Sequence, residues 1–304
     1  MFDKKMLFDV GRCCELIKCR LTSIILSILL VMSTFLSINV LPAMCDSRSS
    51  IAWGVEWGYS SEDEIQASSE VCAAIKEFFL NVSGYNYVEN YFGEDTTGNN
   101  LCDITYYCDN NFDFAVVFYK GHAYPLEGSP PNNPPHSALY DNEEWFITDY
   151  SIGDNTVNGV HDFVLLWACG MADFQGGFFG TLTVNMSTAW LYRDDLGEDT
   201  HDNPDYSSHC FISFKFYSPE FIDDTGHSSY TLADFITLFY QYVTDGNHTI
   251  DEALDHSANV CFGCDLEDSW IFTGYWYYCD DPEMEGWYWS YMREFGDGSM
   301  MLMS

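Results

Sequence analysis

Phe112–Tyr119 reads FDFAVVFY and Asp162–Ala168 reads DFVLLWA. Each holds a single aspartate near its start and is otherwise apolar, with valine, leucine and aromatic residues prominent. A strand with one wet face alternates polar and apolar side chains. These runs do not, so each predicts a strand covered on both faces, the habit of a parallel sheet flanked by helices. The strand and helix patterns on either side alternate. Together they predict an α/β three-layer sandwich around a mostly parallel sheet, with right-handed crossovers.

Working outward, Ile51–Tyr59 (IAWGVEWGY) predicts a first strand. Glu62–Phe79 has helical spacing, with Ile65, Cys72, Ile75 and Phe79 on one side and Ser60 or Ser61 as cap. Tyr87–Phe92 and Trp145–Thr148 predict short strands, and Leu101–Cys108 a helix. Phe211–Phe216 (FISFKF) predicts a further strand. Thr231–Val243 predicts an amphipathic helix, and Thr249–Asn259 a second, with Glu252 at the capping-box position of Thr249. No repeat or linker divides the chain.

In open parallel sheets, chemistry gathers beyond the C-terminal ends of the strands. Phe112–Tyr119 runs into Lys120-Gly121-His122-Ala123, and Asp162–Ala168 runs into Cys169-Gly170. If the strands are neighbours, an imidazole and a thiol meet above the sheet. A free thiol is mostly protonated at neutral pH and needs an adjacent base to act as a nucleophile. Gly121 and Gly170 allow close backbone approach, and the Cys169 and Gly170 amides are candidate oxyanion donors. The plainer alternative is that Cys169 is a packed core residue. Among the other histidines, His161 precedes its strand and falls at the wrong end, and His136, on a proline-rich loop, is the runner-up base.

A strand ending in Gly-His followed by a strand ending in Cys-Gly resembles the caspase-like clan of cysteine peptidases. VVFYKGHAY, FVLLWACGMA, FISFKFYSPEF and DFITLFYQYV, with the closing stretch from Gly286 to Gly298, are most similar to gingipain-like and archaeal members. The resemblance implies a caspase-like fold over 46–304, peptide-bond hydrolysis and a His122–Cys169 dyad. It also implies substrate and oxyanion contacts from the backbone at Gly121, Ala123 and Gly170. Two departures stand out. The family usually carries glycine where this chain has Ala123. Metacaspases carry an acid two residues before the cysteine, where this chain has Trp167.

The charge balance narrows the partners. There are 47 acids against 11 Lys and Arg, a net charge of −36. Lys4, Lys5, Arg12, Lys18 and Arg20 precede the apolar run Leu21–Val40 (LTSIILSILLVMSTFLSINV), which leaves few cations for the folded part. Such a surface repels nucleic acid and anionic membranes and attracts basic peptides. Basic residues, an uncharged run and Leu41-Pro42-Ala43 lay out residues 1–45 as a signal peptide or an N-terminal membrane anchor. Either way the rest is expected to be secreted or held at the cell surface, with membrane contact only through that segment. Asn81, Asn185 and Asn247 begin sequons, and the eight cysteines beyond Cys45 are free to pair in an oxidising compartment.

No cofactor is required by this chemistry, and no metal set is evident: Cys261-Phe262-Gly263-Cys264 lacks a second pair at zinc spacing. The acids Asp194, Asp195, Glu198, Asp199, Asp202 and Asp205 leave calcium open without matching an EF-hand, although a solvated loop suits them better. The aromatic stretches TGYWYYCDD and GWYWSYM suit an edge strand or a peptide- or sugar-binding surface. Two functions follow: an exported cysteine endopeptidase acting on peptides or proteins, or a catalytically inactive caspase-like surface binding or adhesion protein.

Overall fold

The computed structural model describes residues 47–303 apart from 57–59, 127–135, 144, 157, 173–185, 192–208 and 280–284. The chain divides into two compact units, Met1–Cys45 and Asp46–Ser304, and the described residues all belong to the second. The apolar run Leu21–Val40, the acid-rich stretch 194–205 and the sequon at Asn185 lie outside them. No helix among the described residues is long and apolar enough to cross a membrane.

The elements, in chain order, are β1 (Arg48–Gly54), α1 (Glu62–Leu80), β2 (Tyr85–Phe92), α2 (Gly98–Asn111), β3 (Phe114–Lys120), β4 (Ala123–Leu126), β5 (His136–Tyr140), β6 (Phe146–Thr148), α3 (Asp149–Gly153) and β7 (His161–Trp167). After them come α4 (Met186–Leu191), β8 (Cys210–Lys215), α5 (Leu232–Thr244), α6 (Ile250–Cys261), α7 (Trp270–Thr273), β9 (Tyr275–Cys279) and β10 (Gly286–Gly296). Among the described residues the main sheet has seven strands in the order β2-β1-β3-β7-β8-β10-β9. β2, β1, β3, β7 and β8 run parallel, and β10 and β9 are antiparallel additions at one edge. A separate small sheet, β4-β5-β6, grows from the end of β3.

The two deciding runs are adjacent strands, and every residue of β7 is buried. Their side chains alternate between two cores. Val116, Phe118, Phe163, Leu165 and Trp167 face the layer built by α1, α5 and α6. Val117, Tyr119, Val164 and Leu166 face the layer that includes Leu101 of α2, Trp190 of α4 and Leu139 of β5. This is the predicted α/β arrangement with helices on both sides of a mostly parallel sheet.

The helix signals hold locally. Ser61 caps α1 by accepting the Glu64 N–H, and full capping boxes open α5 (Thr231 with Asp234) and α6 (Thr249 with Glu252). β1 begins earlier than its apolar pattern predicts. Arg48 is accommodated because its guanidinium donates to the Leu302 carbonyl at 2.8 Å and lies over the Phe114 ring at 4.8 Å. Both partners are distant in sequence, so the local pattern gives no sign of them.

Candidate active site

β3 and β7 pair in parallel with Lys120 opposite Trp167, the last rung of the ladder. His122 and Cys169 each follow that rung by two residues. His122 and Cys169 therefore follow neighbouring strands at equivalent sequence distances beyond the C-terminal edge of the sheet. Both residues are partly exposed.

The backbone at His122 is pinned. Its carbonyl accepts from Tyr140 N–H at 3.0 Å and from the Tyr119 hydroxyl at 3.0 Å, and that hydroxyl also reaches the Tyr140 carbonyl at 2.7 Å. Tyr119 is fully buried, so the turn after β3 is tied to the small β4–β6 sheet from beneath. Gly121 has a structural reason to be glycine: an added Cβ would lie 2.5 Å from the Tyr119 oxygen. Burial pushes the His122 pKa down to about 4, with the Lys120 cation acting in the same direction. At neutral pH the imidazole is uncharged and able to accept a proton.

Lys120 pairs with Glu64 at 2.8 Å, both almost fully buried, and its ammonium lies 5.0 Å from the Phe221 ring centre. The second Glu64 oxygen accepts from Ile222 N–H at 3.1 Å. This internal pair fixes the end of β3, the first turn of α1 and the chain around 221 relative to one another.

Cys169 is clamped by the segment after β8. Ser218 N–H points at its sulfur at 3.4 Å, and the Ser218 hydroxyl lies at 3.6 Å. Trp167, fully buried against Phe214 and Phe221, donates its indole N–H to Pro219 O at 2.7 Å and so anchors that segment. Trp167 is thus a core residue that also anchors the loop facing Cys169. Gly170 N–H donates to Phe216 O, and Ala172 N–H to Phe214 O at 3.0 Å. Gly170 (φ +69°) and Phe216 (φ +68°) are both left-handed, an undemanding conformation for glycine and a costly one for phenylalanine. Tyr275 and Ser290 hydroxyls both donate to Tyr217 O and hold the strained turn in place.

Of the residues expected to lend backbone to a substrate, Gly121 donates its N–H to Trp167 O at 3.3 Å and Gly170 donates its N–H to Phe216 O. Ala123 is the first residue of β4, opposite Leu139, and its side chain packs on the core. His136, the alternative base, opens β5 opposite Leu126. His161 is the first residue of β7 and fully buried, at the opposite end of the sheet from Cys169, as its position before the strand predicts. Ser218 was not singled out from the sequence. The same rule that points to His122 and Cys169 would have found it, since it lies just beyond the end of parallel strand β8.

Cys72, Cys102, Cys108, Cys169, Cys210, Cys261 and Cys264 are free thiols. Burial pushes the Cys72 and Cys261 thiols up to about 12 and those of Cys102 and Cys108 to about 11, the profile of inert packed sulfurs. Among the described residues no cluster of three or more His, Cys, Asp or Glu side chains is arranged to hold a metal.

No family model matches this chain, and no curated protein matches it.

Proposed function

We propose that the chain is an exported cysteine peptidase of the caspase-like kind, with Cys169 as nucleophile and His122 as its base. The observation that supports this reading is the parallel β3–β7 register, which ends on the Lys120–Trp167 rung with His122 and Cys169 each two residues beyond it. His122 takes the proton from the Cys169 thiol as the sulfur attacks the scissile carbonyl carbon. The same proton passes to the leaving amine as the C–N bond breaks, leaving a thioester. Water, deprotonated by His122, then hydrolyses that thioester and restores the thiol. The Ser218 N–H, 3.4 Å from the sulfur, holds Cys169 in place beside the end of β8.

Substrates with Lys or Arg beside the cleaved bond suit the chain's net charge of −36. The reading needs no cofactor, and it gives nucleic acid no role.

A second reading has one observation in its favour. With the Gly121 and Gly170 amides already bonded, oxyanion donors are short, which suits an inactive caspase-like fold that binds at the cell surface. Mapped alkylation separates the two. Brief iodoacetamide treatment of the folded chain should label Cys169 ahead of the buried thiols and abolish peptide hydrolysis in proportion. Labelling of Cys169 with no hydrolysis to lose would support the binding protein, and a Cys169 that resists labelling would defeat the peptidase.

A further inference from the structure

The β9–β10 hairpin has two unlike faces. Register pairs Trp287 with Tyr278 and Trp289 with Trp276, so alternation puts these four rings on one face. The opposite face carries Tyr275, Tyr277 and Tyr288 and packs in part on Tyr217: Tyr277 stacks on it at 4.4 Å while staying 39% exposed, and Tyr288 packs on it at 5.3 Å. The first face is open. Trp276 is 61% exposed, Trp287 66%, Tyr278 43% and Trp289 39%. Large aromatic rings left in water together are unusual on a soluble surface and mark a contact site.

The rings form a built platform. Trp276 and Trp289 meet edge-to-face at 5.2 Å, and Tyr278 and Trp287 at 5.2 Å with a 57° tilt. The charge around them selects the occupant. Glu285 accepts from the Tyr278 hydroxyl at 2.9 Å, and the chain as a whole carries 47 acids against 11 Lys and Arg. Anionic partners are repelled. A cation is drawn in by the carboxylates and then held by the negative faces of the indoles, the best cation-binding rings among side chains. The chain already satisfies its own scarce cations this way. Arg48, Lys120, Lys215 and Arg293 each lie over an aromatic ring, and Lys215 reaches Tyr291 on this same face one rung further along.

We infer that the Trp276–Tyr278–Trp287–Trp289 face is a docking site for an extended, Lys- or Arg-rich segment of a protein partner, held by cation–π contacts. It lies on the side of the hairpin facing away from Tyr217, so it acts independently of hydrolysis at Cys169.

The test is binding of an oligo-arginine peptide to the full chain, carried out in a Cys169→Ala background so that no turnover consumes the peptide. Binding at physiological salt is followed by tryptophan fluorescence and calorimetry. The Trp276→Ala/Trp287→Ala pair should weaken binding about tenfold. Its melting temperature should stay close to that of the background, since both rings are mostly in water. Trp276→Phe/Trp287→Phe keeps a ring with a weaker quadrupole and should fall between, which covers the case of an alanine pair that fails to fold. Oligo-glutamate and a neutral oligosaccharide should not bind. Unchanged affinity in both pairs would reduce the effect to bulk charge and overturn the inference. Tryptophan-dependent binding of the neutral sugar, or a dimer that the alanine pair converts to monomer without change in peptide affinity, would overturn it as well.

Discussion

His122 and His161 belong to the same pair of neighbouring strands and lie at opposite ends of it. His122 follows β3, and His161 opens β7 opposite Ala115. Burial is the main cause of a lowered pKa in both, to about 4 for His122 and about 3 for His161. Their surroundings differ. The His161 ring is fully buried against Trp190 at 5.3 Å, with Asp109 at 3.7 Å. His122 and the partly exposed Cys169 follow neighbouring strands at the open end. A depressed histidine pKa therefore reports burial, and strand direction decides whether the buried base has chemistry to do.

The largest effect separates the two histidines directly. His122→Ala should lower peptide hydrolysis by about a thousandfold, within the range for losing a general base, and leave the melting temperature nearly unchanged. Lys120→Met works on the same end of the sheet through stability. It leaves Glu64 buried without its counter-charge and should cost about 3–5 kcal/mol in chemical denaturation. Restoring neutrality with Glu64→Gln in the same chain should recover a large part of that loss.

His161→Ala should show the reverse of His122→Ala. It removes a fully buried ring and should cost about 2–4 kcal/mol, while each folded molecule keeps its hydrolysis rate. The pH dependence sharpens the contrast. Unfolded His161 binds a proton near pH 6.5, and the folded residue does so only near pH 3, so its contribution to stability is complete above about 6.5 and is lost as pH falls toward 3. A denaturation series over that window should show a shallower acid loss for His161→Phe than for the natural chain. Glu294 has the opposite sign. Burial, with Asp251 beside it, raises its pKa to about 7, so its contribution is complete below about 4.5 and is lost as pH rises through 7. Glu294→Gln should flatten the alkaline side of the same curve.

The smallest expected effect is at Ser218. Ser218→Ala removes the hydroxyl 3.6 Å from the Cys169 sulfur and leaves the N–H contact in place. Alkylation of Cys169 at neutral pH should slow by about two- to fivefold, the loss expected for one weak hydrogen bond.

Much of this comparison was legible in the sequence, because it rests on local signals. Continuous apolar runs marked β3 and β7, and the residues that follow them marked the open end. The caps of α5 and α6 were readable from Thr231, Thr249 and Glu252, since capping needs only three residues of context. The insertion of β1 between β2 and β3 was not readable, because register across a sheet is set by long-range pairing. β6 was legible as the short strand at Trp145–Thr148, but its partner β4 was not, because β4 is four residues long and contains Pro125. The bonds that occupy the Gly121 and Gly170 amides depend on Trp167 and Phe216, one across a sheet rung and the other 46 residues further along the chain. No local pattern encodes those partners.

We propose that His122 and Cys169 act as one unit at the open end of the β3–β7 pair. The direct test is the hydrolysis rate of the natural chain, Cys169→Ala, His122→Ala and the double variant on a peptide library, with a melting curve for each. Both single variants should lose hydrolysis while melting near the natural chain. The double variant should be no worse than the poorer single one, because members of a catalytic unit are not additive. Full activity in Cys169→Ala, or melting far below the natural chain in both single variants, would contradict it.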